Sequence, residues 1–314
     1  MDIAITSADL TKRCGIENAY RMIAEAGFTG IDWGLYGLIS IRGRALNATK
    51  LEDLCVLERP LGEILANLEP ELAEIRKNGL AISQIHTPFP FYFHGREDIF
   101  AYCKQIYEHC IELSEAVGCR YVVIHGLASS ARGPETADDP TYLDELNRRM
   151  YESLIPVLQK ANVIVCMENL YHSAPCATYC EGHASDPHLA VAEIDELNQK
   201  AGKECFGLCM DTGHLNMLGR RFYSYVPVLG HRLKCLHVHD NPGNYDSHLT
   251  PYSGTILWSE FTEELRKIGY EGPMTFEVGS QFASNRLPEA LIPAFLKLTC
   301  TIGEEFREKI TEKE

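Results

Sequence analysis

The amino-acid sequence predicts an α/β protein whose eight parallel strands close into a (β/α)8 barrel, a single domain over residues 1–314. Short apolar runs rich in Ile, Val, Phe, Tyr and Cys alternate with longer amphipathic segments, as strands buried on both faces require. The alternation occurs eight times, which is typical of a closed barrel. The first run leads into Ser7-Ala8-Asp9 and lacks the glycine-rich phosphate loop that a doubly wound open sheet usually carries there.

Each predicted element follows from its local pattern. The strands are the apolar runs Asp2–Thr6, Gly30–Gly34, Ala81–His86, Tyr121–His125, Val163–Glu168, Phe206–Asp211, Leu233–His239 and Met274–Val278. The predicted helices are Asn18–Ala26, Leu61–Lys77, Ile99–Val117, Tyr142–Lys160, Pro187–Ala201, Trp258–Ile268 and Leu287–Lys309. Gly27 and Gly202 directly follow helices and predict their ends, and Asp186-Pro187 predicts a capped helix start. Residues 219–230 show no clear pattern.

Composition excludes several functional classes. The net charge of −15, from 44 acidic and 29 basic residues, argues against a protein that binds nucleic acid through clustered Lys and Arg. No uninterrupted apolar stretch is long enough for a membrane span. The start of the chain has no basic region followed by an apolar one, and the twelve cysteines contain no CxxC pair. We therefore expect reduced thiols and a cytoplasmic location.

Polar residues stand at the ends of six predicted strands. They are His86, His125, Glu168, Asp211, His237 and Glu277. In a barrel the carboxyl ends of all strands meet at one mouth, where active sites lie. Glu168, Asp211, His237 and Glu277 form a carboxylate–imidazole set that suits one divalent ion such as Mn²⁺, Mg²⁺, Co²⁺ or Zn²⁺. With one nitrogen ligand and no thiolate, the set is unlike a structural zinc site.

Strand register predicts a layer of small side chains beneath these ligands. Side chains two residues apart on a strand point to the same side. Cys166, Cys209, Cys235 and Thr275 each stand two residues before a predicted ligand. We interpret the three cysteines as a packed layer rather than as a redox or metal site. More polar residues follow the strands, namely His214, His239, Asp246 and His248, whereas the remaining histidines, His183 among them, are interpreted as ordinary surface or core residues.

Seven motifs in this order resemble those of the xylose-isomerase-like TIM barrels. They are His86-Thr87-Pro88, Val123-Ile124-His125-Gly126, Met167-Glu168-Asn169, Met210-Asp211-Thr212-Gly213-His214, Leu236-His237-Val238-His239-Asp240-Asn241, Asp246-Ser247-His248-Leu249 and Phe276-Glu277. This superfamily includes sugar phosphate isomerases and epimerases, inosose dehydratases, ketose 3-epimerases and endonuclease-IV-like enzymes. The resemblance covers roughly residues 2–300.

The resemblance implies roles for the site residues. Glu168, Asp211, His237 and Glu277 look like the metal ligands of the sugar-handling members, in which the two glutamates also move protons. The implied substrate-binding set is His86, His125, His214, His239, Asp246 and His248. His86, His125, Asp246 and His248 also resemble extra ligands of the trinuclear zinc site in endonuclease-IV-like enzymes. Ala174 and Gly243 stand where ketose 3-epimerases usually carry a glutamate and an arginine.

Two enzyme classes therefore remain open. A third reading, a binding module that kept the barrel, is ranked low because all four ligands are present. The favoured one is a metal-dependent isomerase or epimerase of carbohydrate metabolism, in which a glutamate removes the proton α to a carbonyl and the metal, with manganese as one candidate, stabilises the enediolate. A dehydratase or lyase would use the same chemistry. The alternative is an endonuclease-IV-like phosphodiesterase acting on abasic DNA. The expected partner is a small sugar or sugar phosphate.

An aromatic run follows the third predicted strand. It reads Phe89-Pro90-Phe91-Tyr92-Phe93. Such a run walls a sugar pocket, folds onto the barrel, or is buried against a second copy of the chain, so that a homo-oligomer is also among the expectations.

Overall fold

A closed barrel of eight parallel strands forms the centre of the computed structural model, which describes residues 1–39, 54–89, 92–93, 97–129, 140–174, 178–283 and 287–312. The predicted fold class is therefore confirmed. The assignment of residues 1–314 to one domain stays a prediction.

The strands of the described chain are, in order, β1 Ile3–Thr6, β2 Gly30–Gly34, β3 Ala81–His86, β4 Tyr92–Phe93, β5 Tyr121–Ile124, β6 Ala128–Ser129, β7 Ile164–Glu168, β8 Tyr171–Ala174, β9 Thr178–Glu181, β10 Phe206–Asp211, β11 Leu233–Val238 and β12 Met274–Phe276. Around the barrel the order is β1-β12-β11-β10-β7-β5-β3-β2, and β2 pairs with β1 to close it. The short strands β4 and β6 pair with each other, and β8 and β9 form an antiparallel hairpin. All eight predicted strands are barrel strands, with ends that differ by at most two residues.

The helices lie between these strands. They are α1 Ala8–Cys14, α2 Ile16–Ala26, α3 Leu61–Lys77, α4 Glu97–Val117, α5 Pro140–Leu158, α6 Pro187–Ala201, α7 Thr212–Met217, α8 Phe222–Leu229, α9 Trp258–Lys267, α10 Gly279–Ala283 and α11 Ile292–Thr311. Among these described helices, none combines the length and the apolar character needed to cross a membrane.

Local chemistry explains where the predicted helices begin and end. Asp186 caps α6, since its side chain accepts hydrogen bonds from the backbone N–H groups of His188 and Leu189. Gly27 and Gly202 follow α2 and α6 in left-handed conformations, with φ of 104° and 71°. The sequence did not predict α1, because its seven residues are too few for a clear helical pattern. It also placed the start of α11 at residue 287, where a 3-10 turn over Glu289–Leu291 comes first.

The barrel interior contains the expected layer of small side chains. Cys166, Cys209 and Cys235 are fully buried and pack together with Val123 and Ile164. Cys209 and Cys235 are register partners on β10 and β11. Burial raises the pKa of the Cys209 thiol, which favours the neutral form of a packed side chain over a reactive thiolate. The interpretation of these cysteines as a packed layer is confirmed.

Candidate active site

Four predicted side chains meet at the carboxyl end of the barrel. Glu168 and Asp211 end β7 and β10, His237 lies in β11, and Glu277 directly follows β12. Parallel register places Asp211 opposite His237 and His237 opposite Thr275, two residues before Glu277. One donor atom from each of the four lies within 4.8 Å of the others. We call Glu168, Asp211, His237 and Glu277 the four-ligand cluster.

The spacing of this cluster fits a divalent ion. Nδ1 of His237 lies 3.4 Å from Oε2 of Glu168 and 3.5 Å from Oε2 of Glu277. Two ligands at ~2.1 Å from one ion, about a tetrahedral angle apart, are ~3.4 Å from each other. Nδ1 of His237 is buried and has no hydrogen-bond partner among the described residues. Because buried polar atoms are almost always satisfied, this atom fits a bound cation. The assignment of the four residues as metal ligands stays a prediction.

Asp211 is held in place from several sides. Its Oδ1 accepts a 2.7 Å hydrogen bond from the backbone N–H of His214, which makes Asp211 the cap of α7. Nε2 of His239 lies 2.9 Å from its Oδ2. The Asn169 side chain bonds to both the backbone N–H and the carbonyl of Asp211, at 2.7 and 3.1 Å. The carboxylate therefore has little freedom to turn away from the cluster.

Three histidines around the cluster share one arrangement. Nδ1 of each lies within hydrogen-bond distance of a backbone carbonyl: His86 at 2.9 Å from Thr87, His214 at 2.8 Å from Asn169, and His248 at 2.9 Å from Glu277. A carbonyl only accepts, so each contact places a proton on Nδ1 and, in the neutral ring, leaves the Nε2 lone pair available.

The Nε2 atoms of these three histidines point at carboxylates. Nε2 of His86 lies 3.3 Å from Glu168, and Nε2 of His214 and of His248 lie 3.4 and 3.3 Å from Asp246. A second set of nitrogen and oxygen atoms thus lies beside the four-ligand cluster, formed by His214, Asp246 and His248. Asp246 also groups with His239 and His248 as a candidate cation site. Their assignment as substrate contacts stays a prediction, and their geometry suits metal ligands equally well.

An aromatic wall lies beside Glu168. Nε2 of His125 is 2.9 Å from Glu168 Oε2, and its ring stacks on Phe89 with centroids 3.8 Å apart. Tyr36 packs against both Phe89 and His86 at 5.2 and 5.1 Å. The aromatic run therefore contributes Phe89 to the site, whereas Pro90 and Phe91 lie outside the described residues. Sequence reasoning missed Tyr36, which stands two residues after β2 with no motif around it.

Charge is concentrated in this mouth. Burial opposes ionisation of His214, His248 and Glu168, but neighbouring charges outweigh its effect on the pKa of each. Asp211 and Asp246 raise the pKa of His214 to about 10, and Glu277 and Asp246 raise that of His248 to about 10. The histidines hold the pKa of Glu168 well below its usual range. For His125 burial prevails and lowers its pKa. Without a cation the mouth is thus a network of imidazolium and carboxylate groups, and a bound cation would displace protons.

A cavity of about 1390 Å³ lies beside His125, His214 and Asp246 and extends toward α5, α6 and the β8–β9 hairpin. Its lining includes His125, Tyr171, Tyr179, His183 and Glu193. Nε2 of His183 lies 3.7 Å from Oε2 of Glu193, and burial raises the pKa of Glu193 to about 7 while lowering that of His183 to about 4. His183 is buried, in line with its interpretation as an ordinary core residue, and it also lines the cavity.

A buried carboxylate on β2 also escaped the sequence reasoning. Asp32 is fully buried, and its Oδ2 lies 3.4 Å from Nε2 of His237. Its signal in the sequence was an aspartate inside an otherwise apolar strand, Gly30–Gly34, where an unpaired charge is costly.

Comparison with known proteins identifies relatives across most of the chain. The sequence model of the family described as xylose isomerase-like TIM barrel matches residues 20–294. The uncharacterized protein y4fM of Sinorhizobium fredii (strain NBRC 101917 / NGR234) is 24% identical over 272 residues, 84% of this chain and 81% of that protein.

Solved structures share the architecture. The crystal structure of a D-psicose 3-epimerase in the presence of D-fructose is 15% identical, with a TM-score of 0.67 over 98% of this chain and 99% of that one. The apo structure of the 3-keto-D-glucoside 4-epimerase YcjR from E. coli is 16% identical, with a TM-score of 0.67 over 96% and 99% of the two chains. At these identities the likeness is one of fold.

Proposed function

The chain belongs to the xylose isomerase-like TIM barrel family, and on that premise we propose that it is a divalent-metal-dependent sugar isomerase or epimerase. The observation that carries the proposal is the pair of glutamates at one buried point. Oε2 of Glu168 and Oε2 of Glu277 lie 3.4 and 3.5 Å from the same atom, Nδ1 of His237. Two carboxylates beside one cation position can take a proton from a carbon and return one, which is what isomerisation and epimerisation need.

Glu168 and Glu277 have different functions in the proposed reaction. Glu168 is ionised because histidines surround it and lower its pKa, so it can accept the proton α to the sugar carbonyl. The Glu277 side chain is 16% exposed and open to the mouth, so it can act on the opposite face of the same carbon. When bound, a divalent ion would polarise the carbonyl and lower the energy of the enediolate.

The walls of the mouth fit a sugar. Phe89 and Tyr36 offer apolar ring surface, and sugars present apolar C–H faces as well as hydroxyls. Burial of Glu168, whose side chain is 2% exposed, excludes water from the proton-transfer point. Among the described residues that line the cavity, Arg148 stands with several carboxylates, which suits a polyhydroxyl ligand.

Metal analysis joined to a sugar panel tests the proposal. Purified protein is expected to retain about one or more divalent ions, and NMR is expected to show conversion of at least one aldose, ketose or sugar phosphate. Glu168→Gln and Glu277→Gln should slow the conversion by about a hundredfold or more, whereas Glu271→Gln, the same substitution at an exposed site, should leave it unchanged. A metal-loaded protein that converts no sugar in the panel would contradict the proposal.

One observation favours a second candidate, a phosphodiesterase acting on abasic DNA. The three histidines with Nδ1 fixed by carbonyls would let the mouth hold more than one ion, an arrangement that phosphodiester hydrolysis uses. The net charge of −15 weighs against it, because binding a DNA backbone needs several cationic side chains. Metal-dependent cutting of an abasic-site duplex, lost in Glu277→Gln, would reverse the ranking.

A further inference from the structure

Asp32 lies in the buried interior of the barrel, where a carboxylate is destabilising. It lies in the middle of β2 and is fully buried, and its Oδ1 has no hydrogen-bond partner in the part of the chain that the structure describes. An isolated buried charge costs several kcal/mol unless it is paired. Its neighbours at the other oxygen are the Gln84 amide, which donates a 3.3 Å hydrogen bond, and the His237 ring at 3.4 Å. The burial of this carboxylate beside the His237 ring therefore indicates a function that involves His237.

His237 is oriented opposite to the other histidines of the mouth. His86, His214 and His248 place Nδ1 against a backbone carbonyl and direct Nε2 inward. His237 directs Nδ1 inward, toward Glu168 and Glu277, and its Nε2 faces Oδ2 of Asp32 at 3.4 Å with no hydrogen-bond partner among the described residues. The Asp32 carboxylate therefore lies beside the outward-facing nitrogen of His237, where His86, His214 and His248 each have a backbone carbonyl.

We infer that Asp32 is the positioning residue of the metal site: it accepts the Nε2–H of His237 and so fixes the tautomer whose Nδ1 lone pair faces the ion. The inference rests on the proposed metal-dependent function. A carboxylate behind a metal-bound histidine fixes its tautomer and ring orientation and raises its basicity. Asp32 is not a ligand itself, because the imidazole ring stands between it and the four-ligand cluster.

The support behind Asp32 is rigid. The Ser7 backbone N–H and side-chain hydroxyl both donate to its carbonyl, each at 3.1 Å. Gln84 on the neighbouring strand β3 is fully buried and orients the carboxylate from the side. Ser7 therefore holds the backbone of Asp32 and Gln84 holds its carboxylate, so that the carboxylate can keep the ring of His237 in one orientation.

Mn²⁺ titration of variants tests the inference without any substrate. Asp32→Ala and Asp32→Asn are compared with the unmodified protein by calorimetry, with folding checked by circular dichroism. Loss of such a carboxylate typically weakens metal binding by about 10–100-fold. We expect the larger loss in Asp32→Ala and about tenfold in Asp32→Asn, whose amide oxygen still accepts but carries no charge. If the alanine variant fails to fold, the asparagine variant decides.

A matched control separates positioning from stability. Glu58 is also a buried carboxylate, bonded to the Cys55 backbone N–H and the Tyr102 hydroxyl, so Glu58→Gln should lower stability without changing Mn²⁺ affinity. In Zn²⁺-loaded protein labelled with ¹⁵N-histidine, His237 should show a protonated Nε2 and a metal-bound Nδ1. Folded Asp32→Ala should lose that pattern.

The outcomes distinguish this inference from the proposed function. An Mn²⁺ dissociation constant within about twofold of the unmodified protein in folded Asp32→Ala, or a His237 bound through Nε2, would overturn the inference and leave the proposed function standing. Conversely, Mn²⁺ binding that depends on Asp32, in a protein that converts no sugar, would contradict the proposed function and leave the inference about Asp32 standing. A protein that binds no Mn²⁺ at all would overturn both.

Discussion

Glu193 should make the stability of the protein depend on pH in a way that one substitution removes. Its side chain lies in the cavity wall and is 19% exposed. Burial, and then the neighbouring Asp144, raise its pKa from 4.5 to about 7, against the opposing effect of Arg148. The folded protein therefore keeps a proton on Glu193 at pH values where the unfolded chain has released it.

The sign and size follow from linkage. Between pH 4.5 and about 7 the folded state binds more protons, so the free energy of unfolding falls as the pH rises. The contribution is fully present below the unfolded pKa and is lost as the pH passes through the folded one. At about 1.4 kcal/mol per pKa unit, the loss between pH 5 and pH 8 is ~2.5 kcal/mol.

Urea unfolding of Glu193→Gln measures this effect. Glutamine cannot ionise, so we expect the variant to gain ~2.5 kcal/mol relative to the unmodified protein on going from pH 5 to pH 8. Glu112→Gln, the same substitution at an exposed position of α4, should show no comparable gain. EDTA in both series excludes stabilisation by metal. An equal difference between Glu193→Gln and the unmodified protein at both pH values would refute the reasoning.

Three further predictions concern the mouth of the barrel. Glu277→Gln should unfold like the unmodified protein yet lose about a hundredfold or more in turnover, because a metal ligand and a proton carrier are lost together; an active variant would remove Glu277 from the mechanism. Saturating Mn²⁺ at 100 times its dissociation constant should raise the free energy of unfolding by about 2.7 kcal/mol, and EDTA should reverse this; an unchanged transition in urea would speak against a metal site. The pKa values of His214 and His248 are raised to about 10, so any ion that binds these histidines must displace protons. We therefore expect Mn²⁺ affinity to increase from pH 6 to pH 9, with measurable proton release. An affinity that does not change with pH would exclude those histidines as ligands.

The sequence predicted the barrel well because strand burial leaves a local mark. Runs such as Phe206–Asp211 are buried at every position and therefore read as continuous apolar segments. For the same reason the role of Asp32 could not be predicted from the sequence. It lies in the apolar strand Gly30–Gly34, and the side chain that it faces, His237, is 205 positions later in the chain. Only the closed barrel brings β2 and β11 face to face across its interior.

Histidine roles were predictable only in part. The position of His86 at a strand end and of His248 in the loop after a strand placed both at the mouth, but which ring nitrogen carries the proton depends on a nearby carbonyl. For His248 that carbonyl belongs to Glu277, on a different segment, and the loop that brings them together holds His248 at a positive φ of 46°. Such a loop conformation has no periodic pattern from which it could be predicted.

Proton exchange with solvent tests the central claim most directly. A sugar that the Mn²⁺-loaded protein converts is incubated with it in D₂O, and NMR follows the carbon next to the carbonyl. Removal of that proton by Glu168 or Glu277 predicts deuterium at this carbon in the product, and none with Glu168→Gln or Glu277→Gln. Conversion without deuterium at this carbon, or no exchange in any sugar together with Mn²⁺-dependent cutting of an abasic duplex, would contradict the account.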